Sequence, residues 1–200
     1  MDRLESSGRT ARRAPSGPTS PRTGDLHLDL PVTARHRWTV TPLGRMVVAV
    51  GSYDGHPALT GSWFEDQQHF PSAELLGEAD DQDPLLGAAV EQLAEWFAGH
   101  RRGFDLPLAL DTRPQELRRR VWRALLEVGF GQTTTYGQLA RELGNPGMAQ
   151  AIGQAVGRNP WSIIVPCHRV ISSTGALTGY AGGIQRKEDL LRREAQGVTG

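Results

Sequence analysis

Ile163-Ile164-Val165-Pro166-Cys167-His168-Arg169-Val170-Ile171 sets the only cysteine of a 200-residue chain beside a histidine and an arginine, behind a proline and between two β-branched runs. Two readings compete. A lone cysteine flanked by Ile and Val is most often a small hydrophobe in a core. The other reading is a nucleophile, which needs help, because a thiol at its reference pKa of ~8.5 is only about 3% thiolate at pH 7. His168 and Arg169 are the candidate helpers. Neighbours in a regular strand point to opposite faces, so Cys167 and His168 cooperate only if Pro166 turns the chain or a water bridges them. A strand over 162–165 that breaks at Pro166 is therefore expected.

Upstream of this stretch the pattern is helical. Thr112 caps a helix with Gln115 as its capping-box partner, and Leu117, Val121, Trp122, Leu125 and Val128 form its buried stripe before Gly129 and Gly131 end it. Thr135-Tyr136-Gly137-Gln138 is a second capping box, opening a short helix that turns Leu139, Ala140 and Leu143 inward. Gly144-Asn145-Pro146 supplies a stop, a cap and a first-turn proline, and hands over to a helix at 147–156 that buries Ala149, Ile152 and Val156 and shows Gln150 and Gln154. Two short helices across a tight turn form a helix-turn-helix, although any helical hairpin produces that pattern. Downstream, Ile184, Lys187, Leu191 and Glu194 share one stripe of a closing helix.

The first half reads differently. Residues 1–31 are rich in Ser, Gly, Pro, Arg and Thr and are expected to be a disordered tail, since they cannot bury enough apolar surface to offset their ordering entropy. Strands are expected at 45–50 and 58–64, joined by the Asp54-Gly55 hairpin turn, with a further turn at Thr41-Pro42-Leu43-Gly44. Asp80, Asp81 and Asp83 read as a flexible solvated loop rather than a cation site, and Leu85, Leu86, Ala89, Leu93, Trp96 and Phe97 repeat at helical spacing up to Gly99. The fold class expected is α/β: a small N-terminal domain at 32–110, an antiparallel sheet plus a helix, followed by a mostly helical domain at 111–200.

Composition narrows the function. No run approaches eighteen apolar residues and no secretory signal is visible, so a cytoplasmic protein without a membrane partner is expected. A single cysteine cannot form an internal disulfide, and the six His lie apart without ligand spacing, so neither metal nor cofactor is expected. Net charge is zero, but residues 1–110 carry −5 and residues 111–200 carry +5, so only the second half suits phosphate. An Arg-rich surface that merely faces solvent explains the same numbers.

Pro166-Cys167-His168-Arg169-Val170-Ile171, followed by Gly179-Tyr180-Ala181-Gly182-Gly183 and an amphipathic helix, resembles the active-site region of the O6-alkylguanine-DNA alkyltransferases. The likeness runs from about Trp38 to Glu194 and is densest after Thr112. It implies direct reversal of O6-alkylguanine, and of O4-alkylthymine, by one irreversible transfer of the alkyl group to Cys167. The second helix of the helix-turn-helix would enter the minor groove and the damaged base would be flipped out. The resemblance also assigns roles. His168, oriented by Glu194, deprotonates Cys167 through a water, and Asn159 ties the recognition helix to the cysteine loop. Tyr136 assists rotation of the base and donates to guanine N3. The carbonyls of Cys167 and Val170, the backbone at Tyr180 and Ala181, and the Val156 side form the base pocket. Ala149, Gln150, Ala151, Gly153, Gln154, Arg158 and Arg169 face DNA. Gln150 stands where the family usually has arginine and brings no charge to the emptied stack. Trp161-Ser162 departs from the commoner Pro-rich loop, and Ala181 replaces a frequent serine.

On this reading the partner is double-stranded DNA carrying O6-alkylguanine, bound near the nucleoid by a monomer, with cooperative assembly on DNA left open. Three alternatives stand beside it: a non-enzymatic binder of alkylated guanine, a sequence-specific regulator and a Cys-His hydrolase. The first lacks the cysteine, the second needs base-reading side chains where this helix has Ala and Gly, and the third turns over repeatedly.

Overall fold

A computed structural model describes residues 34–110 and 116–198. The expected tail at 1–31 and the Thr112 capping box lie outside the described residues. Three antiparallel strands, β1 (Arg35–Thr41), β2 (Gly44–Tyr53) and β3 (His56–Phe64), make a meander. The β2–β3 hairpin turns at Asp54 and Gly55, both at positive φ (48° and 79°), which is the two-residue geometry that matches strand twist. A short helix α1 (Ala73–Leu76) then leads into β4 (Glu78–Ala79), which adds parallel to β1 and gives the order β3-β2-β1-β4.

β2 is buried on both faces because both alternating sets of its side chains are apolar. Met46, Val48 and Val50 join the main core, while Val47 and Ala49 join a smaller cluster with Trp63 and Leu76. Helix α2 (Pro84–Phe97) covers the main-core face with Leu86, Ala89, Leu93 and Trp96. Asp83 caps it by accepting from Leu85 and Leu86 N–H at 2.9 and 3.0 Å, with Pro84 in the first turn. The acidic loop is thus an ordered cap and not a loose segment: Asp80 accepts from Gln82 and Asp83 N–H, and Arg35 bridges Asp83 at 2.7 Å.

The second half is mostly helical: α3 (Leu117–Leu126), α4 (Tyr136–Glu142), α5 (Ala149–Gly157) and α6 (Ile184–Val198). The capping box of α4 is reciprocal, with Gln138 N–H donating to Thr135 Oγ1 at 3.1 Å and Thr135 N–H to Gln138 Oε1 at 2.8 Å. The helix expected at 147–156 is instead a 3-10 turn (Pro146–Met148), capped by Asn145, followed by α5. Val121, Trp122 and Leu125 bury α3 against α5, and the Trp122 indole donates to the Ala155 carbonyl at 2.9 Å. Among the described residues no helix is long and apolar enough to cross a membrane.

No strand forms at 162–165. Trp161 and Ser62 make one bridge, with Ser162 N–H donating to the Ser62 carbonyl and Ser62 N–H to that of Pro160, both at 2.9 Å. The chain then turns through Ile163 at φ 73°. The β-branched run that suggested a strand is a turn whose carbonyls are held by a side chain, and a left-handed isoleucine is stable only where its surroundings enforce it. One contiguous core draws on both halves, from Phe64, Leu86 and Trp96 to Trp122, Ile152, Val165 and Leu190.

Candidate active site

Cys167 begins a one-turn 3-10 segment (Cys167–Arg169) that Pro166 starts, followed by β6 (Val170–Ile171). β6 pairs in parallel with β5 (Thr134–Thr135), and this two-residue ladder sets the start of α4, and with it Tyr136, against the cysteine loop. The thiol is enclosed, at 4% exposure, but not in purely apolar packing. Asn159 Nδ2 lies 3.0 Å from Sγ and also donates to the carbonyls of Val165 (2.8 Å) and Trp161 (3.1 Å), while its oxygen accepts from Trp161 N–H. Asn159 N–H donates to the Val156 carbonyl at the end of α5, so one residue joins α5, the turn and the sulfur. Burial pushes the Cys167 thiol up from its ordinary value; the Asn159 hydrogen bond, the Lys187 charge and the local amides pull the other way without overcoming it.

His168 and Glu194 are both fully enclosed, with Nε2 2.9 Å from Oε1. Burial lowers the imidazole pKa below 6.5 against the raising effect of Glu194, so His168 is neutral at pH 7. Its Nδ1 has no protein partner among the described residues. Burial acts to raise the Glu194 pKa, but the hydrogen bonds from His168 and Arg169 and the Arg169 charge prevail, and it lies at about 2. Arg169 grips Glu194 through Nε and a terminal nitrogen, at 2.8 to 3.2 Å, and Gly131 N–H donates to the same carboxylate.

Arg169 is therefore not a DNA-facing side chain. It is buried, and its guanidinium is committed to Glu194 and the Val128 carbonyl, because an enclosed carboxylate requires a cation. Val156 lies in the core and not on the cavity, since its side of α5 meets α3. The Val170 carbonyl, expected to receive the guanine amine, takes a hydrogen bond from Lys187 Nζ, which also donates to the Thr178 carbonyl at 2.7 Å. On α6 the buried set is Lys187, Leu190 and Glu194; Ile184, at the very start of the helix, is exposed. Lys187, buried beside the cysteine loop, is a residue to which the sequence assigned no role. Its only signal was a lysine placed on the packed stripe, and burial lowers its pKa to about 8.

A cavity of about 430 Å³ opens beside this centre. Tyr136, Gly153, Gln154, Arg158, Tyr180 and Ala181 all line it, together with Gly157, Gly179 and two residues of the first half, Gln68 and His69. The Tyr136 ring lies over Gly153, and its hydroxyl donates to the Thr178 carbonyl at 3.4 Å. Burial raises the pKa of both cavity tyrosines, and charge on Cys167 would raise them further. A Cβ on Gly182 would stand 2.7 Å from the Tyr180 ring, and Gly183, at φ 92°, turns the chain into α6. Gln150 is exposed on the outer face of α5, outside the cavity, with Ala149 and Ala151 half-buried beside it.

An enclosed thiol with a neutral imidazole, an ionised carboxylate and a cavity roomy enough for a nucleobase can accept a group from a ligand that reaches in. Comparison with known proteins agrees with this chemistry. The family described as 6-O-methylguanine DNA methyltransferase, DNA binding domain, matches residues 116–196. A methylated-DNA–protein-cysteine methyltransferase of Mycobacterium tuberculosis is 52% identical over 161 residues, covering 80% of this chain and 91% of the relative; one of Mycolicibacterium paratuberculosis is 43% identical over 159 residues, again 91% of its length. The crystal structure of Mycobacterium tuberculosis OGT in complex with DNA superposes with a TM-score of 0.70 at 40% identity, over 82% of this chain and 94% of that one. The chain belongs to the family of methylated-DNA–protein-cysteine methyltransferases.

Proposed function

We propose that this protein repairs O6-alkylguanine in duplex DNA, and O4-alkylthymine with it, by a single irreversible transfer of the alkyl group to Cys167. The observation that carries the reading is the enclosed set of Cys167, Asn159, His168 and Glu194 behind a cavity walled by two tyrosines. A base inside the stack cannot reach an enclosed sulfur, so the nucleotide rotates out, which costs a few kcal/mol. Helix α5 lies in the minor groove with Gln150 and Gln154 outward, and its small side chains let the backbone approach. On this reading residues 32–110 are the scaffold, 111–200 carry DNA binding and transfer, and a monomer suffices.

At rest the sulfur is a thiol, which protects it. When the base enters, His168 takes the Cys167 proton through a water at Nδ1, and Glu194 stabilises the imidazolium so formed. The thiolate attacks the alkyl carbon. The S–C bond forms as the C–O6 bond breaks, the electron pair leaves on the purine, and a proton returns to N1. Tyr136, kept protonated by its raised pKa, moves its hydrogen bond from the Thr178 carbonyl to guanine N3 and disperses the developing charge. Water does not cleave the thioether, so each molecule acts once.

The test is stoichiometry. Duplex DNA carrying radiolabelled O6-methylguanine should leave one label per polypeptide, all of it on Cys167, and Cys167→Ala should bind the duplex and take none. Repeated turnover, or transfer by Cys167→Ala, would overturn the assignment.

A further inference from the structure

The cavity has two chemistries. Its depth is aromatic, walled by the buried Tyr180 and the half-buried Tyr136. Its mouth is polar, with Gln154 and Arg158 from the end of α5 and the exposed Gln68 and His69 from the loop after β3. That loop belongs to the sheet half, which the proposed function treats as scaffold, yet it is pinned against the site at three points. Gln67 Oε1 accepts from Phe64 N–H at 2.8 Å and from Ser162 Oγ at 2.9 Å. Gln68 N–H donates to the Ala181 carbonyl at 2.9 Å, and Asp66 pairs with Arg186 at 2.7 Å. Past these anchors His69 sits at φ 60°, a left-handed conformation uncommon outside glycine, and its imidazole has no partner among the described residues. No packing role explains an exposed side chain held in that way.

We infer that the polar mouth binds a phosphodiester of the extruded nucleotide and that His69, from the sheet half, is one of its contacts. A nucleotide presents an apolar ring and an anionic backbone a fixed distance apart, and the cavity presents an aromatic depth and a mouth of N–H donors in the same order. The imidazole, the amides of Gln68 and Gln154 and the Arg158 guanidinium all donate to phosphate oxygens, and the one carboxylate of the loop's anchors, Asp66, is already paired. The inference rests on the proposed function, which supplies duplex DNA as the substrate.

Single-turnover transfer to Cys167 is measured with two donors of the same alkyl group, a duplex carrying O6-methylguanine and the free O6-methylguanine base, which has no phosphate. His69→Ala is compared with the native protein and with His69→Asn, which tolerates the left-handed backbone and keeps a donor. In His69→Ala the ratio of duplex rate to free-base rate should fall about fivefold, the scale of one ordinary net hydrogen bond, and His69→Asn should restore part of it. A neutral methylphosphonate flanking the lesion should slow His69→Ala less than it slows the native protein, because the variant has already lost one of the contacts to that phosphate. An unchanged ratio, or equal slowing of both proteins by the methylphosphonate, overturns the inference. Failure of the underlying function looks different: the native protein then takes label from neither donor.

Discussion

At the scale of single residues, the charge states around Cys167 divide the labour. Burial keeps the sulfur protonated and the imidazole neutral, while Glu194, clasped by Arg169, remains ionised down to about pH 2. Both His168 and Glu194 have folded pKa values below their unfolded ones, so the unfolded chain binds more protons as acid is added and stability falls with pH. The loss starts below pH 6.5, where His168 would be protonated in the unfolded chain, and steepens between pH 4.5 and 2 through Glu194. Urea midpoints from pH 7.5 to 3 should follow this course, and Glu194→Gln should lower the midpoint at pH 7 and flatten the profile below pH 4.5. Lys187 makes a second residue-scale case. Lys187→Met leaves the buried Val170 carbonyl without its donor, at about 1–3 kcal/mol, and removes a cation that favours the thiolate. Denaturation should show that loss, and single-turnover transfer should slow, because the charge that favours the thiolate is gone.

At the scale of elements, α4 is short and depends on its start. Seven residues are too few for an isolated helix to persist, so the Thr135–Gln138 box and packing on α5 hold it. Thr135→Ala should cost about 1 kcal/mol, a few degrees in melting temperature, and should loosen Tyr136, the first residue of the helix. Calorimetry with the single-turnover rate checks both effects. Caps of this kind are legible in the sequence because each joins residues two or three apart; those read at Thr135 and Asn145 formed, while the Asp83 cap stands where a loose acidic loop was expected. The 162–165 segment was misread for the opposite reason. Its Ile and Val favour a strand locally, and only the Asn159 amide, bonded to both ends of the turn, makes the left-handed Ile163 acceptable.

At the scale of the whole molecule, the two halves share their core. Trp161 Nε1 donates to the Leu59 carbonyl at 2.8 Å across 102 residues, Ser62 Oγ donates to the Ser162 carbonyl, and Trp96 of α2 meets the His168 ring edge to face. Unfolding should therefore be one cooperative transition, with coincident tryptophan-fluorescence and far-ultraviolet circular-dichroism curves in urea; two separated transitions would contradict the shared core. The sequence by itself determined the α/β plan, the hairpin and the start of α4, because periodicity, turn chemistry and capping act over a few residues; the Cys167-His168-Glu194 set was implied by the family resemblance of the motif. Only the tertiary structure decided that Arg169 pairs with Glu194 inside the protein, that Lys187 is buried against two carbonyls, and that Gln68 and His69 reach the cavity from the sheet half. Those outcomes depend on which distant backbone groups meet when the core closes, and no local pattern of residues carries that information.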